Sequence, residues 1–129
     1  MIYALQINAS PYADHAGLDA YRFALAALNA GHRINRIFFY REGVYHALRY
    51  ATPPDDEPVY QRQWAQLAAE HHIDLAVCIS AAQRRGLLGP DEARRQGKLD
   101  DDLAPGFRIA GLGLWLEALL EADRHLIFD

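Results

Sequence analysis

Cysteine is almost absent from this sequence, with one residue among 129. A single cysteine excludes a disulfide within the chain, which is typical of proteins from a reducing cytosol. Long apolar runs are also missing, because none approaches the roughly 20 residues that a membrane-spanning helix needs. No basic segment precedes an apolar one at the N-terminus, so a signal peptide is not expected. These absences together predict a cytoplasmic protein without a membrane role.

Positive charge is scarce as well. The 13 Lys and Arg residues are outnumbered by 17 Asp and Glu residues, which gives a net charge of -4. Nucleic-acid binding needs a concentrated positive surface, so direct binding of nucleic acid is not expected. The 6 histidines are scattered, and none shows a metal-ligand spacing with the cysteine, so we expect no metal site. The length and the 51% hydrophobic content fit one soluble domain over residues 1–129.

The apolar pattern alternates between strands and helices along the chain. Strands are predicted at 2–8, 34–40, 73–78, 107–110 and 124–128. Apolar residues at helical spacing predict the helices between them, with stripes at Leu18, Tyr21, Leu25 and Leu28, at Tyr60, Trp64, Leu67 and His71, and at Trp115, Leu116, Leu119 and Leu120. A loop or short helix is predicted from Glu42 to Tyr50, and another short helix after Gly89. This order indicates an α/β fold in which helices cover both faces of a mostly parallel sheet of about five strands.

Binding and catalytic sites in such folds lie beyond the carboxyl ends of the strands. Cys78 closes the third predicted strand, and the loops after Asn8 and Tyr40 follow the first two. Ser80 and Gln83 have the spacing of a capping box, which predicts that a helix starts at Ser80. A helix start beside Cys78 favours a thiolate over a thiol.

Two readings of Cys78 follow from the residues alone. In the functional reading, Arg84 or Arg85 points back toward the sulfur and favours its anionic form. In the structural reading, Cys78 is an inert core residue and the two arginines form a solvated face. His46 is the nearest histidine by topology for a Cys-His pair, because such partners need only be close in space.

Other binding functions have weaker signals. A flavin-binding module needs a Ser/Thr-rich loop after the first strand, and this chain offers Ser10 and little else. The pair Gly111 and Gly113 is a weak phosphate signal that close packing at a helix start explains equally well. Tyr12, Tyr40, Tyr45 and Tyr50 are candidates for an aromatic surface. Core or interface packing is the favoured interpretation, and an interface suits a domain this rich in aromatic residues.

Several segments together resemble the TusD/DsrE sulfur-relay subunits. The first part of the resemblance is carried by three segments, Gln6-Ile7-Asn8 with Pro11-Tyr12, Ala20-Tyr21-Arg22-Phe23-Ala24, and Arg36-Ile37-Phe38-Phe39-Tyr40 with Gly43-Val44-Tyr45. The second part consists of Val77-Cys78 with Ala81-Ala82-Gln83-Arg84-Arg85-Gly86, Leu103-Ala104-Pro105-Gly106-Phe107, and Gly111-Leu112-Gly113 with Glu117-Ala118-Leu119-Leu120. The order and spacing of these segments extend the resemblance over essentially the whole chain. Ser10, Ala13 and Glu42 depart from the family pattern, and none lies in the cysteine segment.

The resemblance implies a three-layer, flavodoxin-like fold and a sulfurtransferase without a cofactor. Cys78 matches the cysteine that carries a persulfide in the family, and Ser80, Arg84, Arg85, Tyr12 and Tyr45 are expected to support it. The resemblance also implies a heterohexamer with two smaller homologous subunits, a TusA-like sulfur donor and a TusE/DsrC-like acceptor. The sulfur then serves either 2-thiouridine synthesis in tRNA or sulfur oxidation. Alone, the chain is expected to form a homo-oligomer. The alternatives that stay open are a non-catalytic scaffold subunit and a small-molecule or flavin-binding module.

Overall fold

A computed structural model describes residues 1–13 and 15–129. Its five strands are β1 (Ile2–Ile7), β2 (Arg33–Phe39), β3 (Asp74–Cys78), β4 (Phe107–Ala110) and β5 (Arg124–Phe128). Each strand lies within about a residue of its predicted position. The buried residues of β2 are Ile34, Ile37, Phe38 and Phe39, and the last three form a continuous run that is buried on both faces of the sheet.

The helices are α1 (Ala16–Asn29), α2 (Tyr60–His71), α3 (Ile79–Arg84), α4 (Pro90–Arg95) and α5 (Leu112–Glu121), and a 3₁₀ helix spans Arg41–Ala47. Pro90 occupies the first turn of α4, where a missing N–H has no cost. The C-cap residue of α2 is His72, whose φ of 56° is left-handed. In the described part of the chain, no helix is both long enough and apolar enough to cross a membrane.

The sheet has the strand order β4-β3-β2-β1-β5, and every neighbouring pair is parallel. The chain therefore moves outward from β1 to β4 and then returns past β1 to form β5. Right-handed crossovers place the helices of the outward path on one face and the returning α5 on the other. The predicted α/β architecture with a parallel five-stranded sheet is thus confirmed.

Aromatic contacts define the two helical layers. Phe39 of β2 meets Trp64 of α2 with ring centroids 5.8 Å apart, and Tyr21 of α1 meets the same indole at 5.1 Å. Phe38 points the other way and stacks on Trp115 of α5 at 5.4 Å with an angle of 12°. Successive residues of a strand face opposite sides of the sheet, so these contacts establish three layers. We call the α5 side of the sheet the α5 face.

Two leucines of α5, for which the sequence predicts a core-facing position, point outward instead. Leu116 and Leu120 are 56% and 79% exposed, and Leu25 in the apolar stripe of α1 is exposed as well. Alanines take their place, since α1 packs on the sheet through Ala20, Ala24 and Ala27, and α5 through Trp115 and Ala118. Small side chains let the helix backbone approach the sheet closely. The predicted contribution of His71 to the α2 stripe is also wrong, because His71 is exposed.

An ionic network ties three strands together near their amino ends. Asp74 of β3 accepts hydrogen bonds from Arg36 Nε at 2.5 Å and from Arg108 Nε and Nη2 at 2.7 and 2.6 Å. Arg36 also donates to the carbonyl of Leu114 in α5. Burial raises the pKa of the Asp74 carboxyl, but the hydrogen bonds from Arg108 and Arg36 outweigh burial and bring this pKa below its ordinary value.

We expect Asp74→Asn to lower the free energy of unfolding at pH 7 by roughly 1–3 kcal/mol, because two guanidinium groups lose a charged acceptor. Since the folded-state pKa of Asp74 is lowered, its contribution is fully present above the unfolded value of about 3.9 and is lost as the pH falls through the folded value. Urea unfolding at pH 7 and at acidic pH measures both effects. A difference from wild type that stays constant with pH contradicts this account, and Asp56→Asn, on an exposed loop, is the control.

Candidate active site

Cys78 is the last residue of β3 and also the N-cap residue of α3. Its backbone is extended, with φ -60° and ψ 122°, and the helix begins at the next residue. The cysteine is 3% exposed, whereas its neighbours Ile79 and Ser80 are exposed. Cys78 therefore lies directly beneath the surface at the carboxyl end of β3, as the sequence predicts.

Strand alternation fixes the side of the sheet that Cys78 faces. Asp74 points to the α5 face, because its partner Arg36 also donates to the carbonyl of Leu114 in α5. A two-residue repeat along β3 brings Cys78 to the same face as Asp74. Ala110, the last residue of β4, is its registered neighbour on one side. The candidate site thus lies where β3 and β4 reach the start of α5.

The predicted capping box is wrong. Ser80 lies inside α3 rather than before it, and Cys78 occupies the N-cap without a side-chain hydrogen bond. β3 runs directly into α3, so no intervening residue is left to act as a serine cap. Ser80 nevertheless remains beside the sulfur along the chain, on an exposed first turn.

Arg84 is the last residue of α3, and Arg85 is its C-cap residue. Arg85 donates from Nε to Glu42 Oε1 at 2.9 Å and from Nη1 to the carbonyl of Ala81 at 3.1 Å. This pair joins α3 to the 3₁₀ helix, so the charge of Arg85 is largely offset by Glu42. Arg84 is exposed. Arg85 therefore positions the 3₁₀ helix against the cysteine helix.

The 3₁₀ helix meets the sheet edge at Gly43. A Cβ added there would lie 1.9 Å from the carbonyl oxygen of Ile7, so only glycine fits between this helix and β1. The Gly43 N–H donates to the carbonyl of Tyr40 at 2.8 Å. Tyr45 is half-buried in the same helix. The loop after β2 is thus packed tightly at the carboxyl edge that holds Cys78.

Tyr12 lies against the start of α2. Its ring is 5.3 Å from that of Tyr60, and its hydroxyl donates to the carbonyl of Pro58 at 2.9 Å. Burial raises the pKa of the Tyr12 hydroxyl, which keeps the group neutral. The contacts of Tyr12 thus belong to the α2 side of the sheet, opposite the α5 face.

His46 has partners on both ring nitrogens. Its Nδ1 accepts a hydrogen bond from Trp64 Nε1 at 3.1 Å, and its Nε2 lies 3.1 Å from the carbonyl oxygen of Ala9. An indole N–H only donates, so the ring proton is assigned to Nε2 and the imidazole is neutral. The residue is 1% exposed within the α2 layer. His46 is therefore a core histidine, and the Cys-His pairing considered from the sequence is wrong.

Arg41 is the residue of this edge that the sequence did not single out, whereas the preceding Tyr40 was one of the tyrosines considered for an aromatic surface. Phe39 is registered opposite Val77, so the same register carried one residue further sets Tyr40 opposite Cys78. Arg41 follows with a φ of 51°, in the left-handed region, and its guanidinium lies 5.9 Å above the Tyr40 ring. The left-handed region is usually signalled by glycine or asparagine, so arginine gives no sequence signal.

An open groove lies next to the cysteine segment along edge strand β4. The groove has a volume of about 500 Å³. Its apolar lining includes Ile79, Leu87, Phe107 and Ile109, and its carboxylates are those of Asp91 and Glu92. Hydrogen bonds from Arg95 lower the pKa of Glu92 to about 2, so this carboxylate is ionised at neutral pH. The groove lies on the α2 side of β4, so it flanks the site without enclosing the sulfur.

The arrangement has the parts that a single-thiol carrier requires. Cys78 is the chain's one thiol, it terminates a central strand, and no internal cysteine exists to displace a bound sulfur as a disulfide. Exposed residues flank it on the helix side. Such a site can take part in thiol exchange with a second molecule.

Comparison with known proteins identifies the relatives of this chain. The profile of the DsrE/DsrF-like family matches residues 1–128. The DsrE protein of Allochromatium vinosum is 48% identical over 128 residues, covering 99% of this chain and 98% of the relative. Sulfurtransferase TusD of Serratia proteamaculans is 44% identical over 126 residues, with 98% of each covered.

Among solved structures, the YchN protein of E. coli matches with a TM-score of 0.76. The match covers 98% of this chain and 97% of YchN, at 20% sequence identity. At that identity the likeness concerns the fold, and it agrees with the parallel three-layer arrangement described above.

Proposed function

We propose, on the premise that this chain belongs to the DsrE/DsrF-like family, that it is a sulfurtransferase subunit of a sulfur relay whose carrier is Cys78. The observation that carries the proposal is the placement of the only thiol at the carboxyl end of a central strand. Relatives named sulfurtransferase, at 41–44% identity over nearly the full length, support the activity.

The proposed reaction is a thiol exchange without net oxidation. The Cys78 thiolate attacks the outer sulfur of a donor persulfide, forming one S–S bond while the donor's S–S bond breaks. The donor leaves as a thiolate, and Cys78 becomes a persulfide. A thiolate of the acceptor then attacks the outer sulfur of Cys78, and Cys78 is released as a thiolate. Neither step needs a metal ion or a redox cofactor.

A buried Cys78 is compatible with a sulfur carrier because the persulfide side chain is longer than the thiol side chain. The outer sulfur of a persulfide lies about 2.05 Å beyond the thiol sulfur along the S–S bond. We propose that this extension directs the transferable atom toward the surface formed by the exposed residues Ile79 and Ser80. The thiol thus stays protected while empty, and the loaded form presents its sulfur to an acceptor.

The partners follow from the same family premise. We propose a TusA-like protein as the sulfur donor and a TusE/DsrC-like protein as the acceptor. The acceptor then delivers sulfur to the wobble uridine of tRNA or belongs to a sulfur-oxidation system. A cluster of sulfite-reductase genes beside this gene supports the oxidation branch. Neighbouring tRNA-modification genes without such a cluster support the thiolation branch.

The surface of α5 supports assembly with other subunits. Leu112, Leu116 and Leu120 form a stripe at four-residue spacing and are 60%, 56% and 79% exposed. We call these three residues the leucine stripe. Glu117 and Glu121 accompany the stripe, and α5 contains no lysine or arginine. Two copies of α5 would therefore bring like charges together, which favours a different subunit with basic residues around an apolar patch. We propose that the two smaller homologous subunits of a heterohexamer include that partner.

We expect the double variant Leu116→Ser, Leu120→Ser to lose the association with co-expressed partner subunits while its stability stays within about 0.5 kcal/mol of wild type, because both side chains are exposed. Light scattering after size exclusion measures the assembly. Leu99→Ser is the matched control, since Leu99 is fully exposed and lies outside the stripe. A double variant that assembles like wild type contradicts this role for α5.

A non-catalytic scaffold subunit is the second candidate, and the 3% exposure of Cys78 is the observation that favours it. Sulfur loading separates the two. A carrier incubated with a persulfide donor gains about 32 Da, which reductant removes. A scaffold with an inert core thiol gains nothing and also resists alkylation until it unfolds.

A further inference from the structure

We infer that Arg41 is a positioning residue that holds the negative charge of the thiolates that react at Cys78. The inference rests on the proposed role of Cys78 and adds a residue to that site. Its first basis is register, since Tyr40 is set opposite Cys78 at the carboxyl edge and neighbouring strands are about 4.8 Å apart. Arg41 comes directly after Tyr40, so it stands at the same edge.

The side of the sheet is the second basis. The Tyr40 ring stacks on Phe38 with centroids 6.1 Å apart and an angle of 24°. Phe38 in turn stacks on Trp115 of α5. Tyr40 is thus part of the α5 face, the same face to which strand alternation assigns Cys78. The arginine above the tyrosine ring is therefore on the side of the sheet where the sulfur lies.

The conformation of Arg41 is the third basis. Its φ of 51° is unfavourable for a residue with a Cβ, and its guanidinium lies 5.9 Å from the Tyr40 ring centroid. A non-glycine residue in this region is a recurrent mark of functional positions. Among residues 1–13 and 15–129, no carboxylate forms an ion pair with Arg41, whereas Arg85 is paired with Glu42. The positive charge of Arg41 is therefore not offset by a paired carboxylate and is available to a ligand.

The chemistry of the site gives this charge a use. The attacked persulfide is neutral, but the attacking group and the leaving group are thiolates in both transfer steps, so negative charge is present at Cys78 throughout the exchange. A guanidinium over a fixed aromatic ring attracts such an anion and keeps its own position while doing so. Arg41 acts through its electric field, so it favours any reacting or leaving group that brings negative charge to Cys78.

Alkylation of the single cysteine tests the inference without any sulfur donor. Iodoacetate is anionic and iodoacetamide is neutral, and both react with a cysteine thiolate much faster than with other side chains, so the alkylated Cys78 peptide reports each rate. We expect Arg41→Gln to lower the ratio of the iodoacetate to the iodoacetamide rate constant by roughly three- to tenfold at low salt, and we expect this effect to shrink as salt screens the charge. Arg41→Lys should keep most of the ratio.

Two further variants make the result decisive. Arg41→Gly suits the left-handed backbone, so it removes the charge without straining the fold, and its ratio should match that of Arg41→Gln. Arg33→Gln removes an exposed arginine from the opposite end of β2 and should leave the ratio at the wild-type value. An unchanged ratio in both Arg41 variants, or an equal fall in Arg33→Gln, overturns the inference. Sulfur loading on Cys78 would then stand independently, because this ratio does not report on it.

Discussion

Replacing Cys78 by serine should abolish sulfur loading completely. Wild-type protein incubated with a persulfide donor should gain about 32 Da in intact mass, and a reductant should remove the gain. Cys78→Ser should gain nothing, because a serine hydroxyl cannot form a persulfide and the chain has no other cysteine. The substitution is nearly isosteric, so thermal unfolding should show a folded variant. Equal loading of the variant and wild type would remove Cys78 from the mechanism.

Ser80→Ala is the matched control for the cysteine substitution. Ser80 neighbours the site but makes no capping hydrogen bond, so its loss should leave loading within about twofold of wild type. Its stability should change by less than about 0.5 kcal/mol, since it is exposed within the first turn of α3. If Ser80→Ala loses sulfur loading, Ser80 takes part in the chemistry and this account of its position is wrong.

Gly43→Ala adds one methyl group at the carboxyl edge of the sheet, and we expect it to be the most disruptive such addition there. The added Cβ would lie 1.9 Å from the carbonyl oxygen of Ile7, a backbone atom that cannot move without displacing β1. We expect a loss of roughly 3 kcal/mol or more in the free energy of unfolding, or a displaced 3₁₀ helix together with slower sulfur loading. Urea unfolding and the loading rate measure the two outcomes.

Gly113→Ala is the corresponding control. No atom outside its immediate neighbours lies within 4 Å of a Cβ placed at Gly113, and the residue lies in the first turn of α5. The same chemical change should therefore be neutral there, or should stabilise the helix by up to about 1 kcal/mol. Equal losses in the two variants would mean that the contact at Gly43 is not the cause.

The strands could be predicted from sequence because burial on both faces leaves short continuous apolar runs. Ile37-Phe38-Phe39 of β2 and Leu75-Ala76-Val77-Cys78 of β3 are such runs, and the predicted strand ends agree with the structure within about a residue. The inward faces of the helices could not be predicted in the same way. A leucine in the sequence indicates an apolar position but not the surface against which it packs. In α5 the buried Ala118 contacts the sheet, whereas Leu116 and Leu120 are exposed.

The candidate site was predictable in place and only partly in detail. The position of Cys78 follows from a strand end in a parallel sheet. The capping motif failed because β3 continues into α3 without a gap. The pairing of Arg85 with Glu42, which is distant in sequence, depends on tertiary packing that a local pattern does not contain. Arg41 was missed because its left-handed backbone lacks the usual glycine.

Transfer of an isotopically heavy sulfur atom tests the central claim most directly. The protein is loaded from a donor persulfide that has a heavy outer sulfur, separated from the donor, and mixed with a thiol acceptor protein. We expect one heavy sulfur per chain on the peptide that contains Cys78, followed by its appearance as a persulfide on the acceptor while Cys78 returns to the free thiol. Heavy sulfur that is absent from this peptide, or that stays there when the acceptor is added, would contradict a sulfur carrier at Cys78.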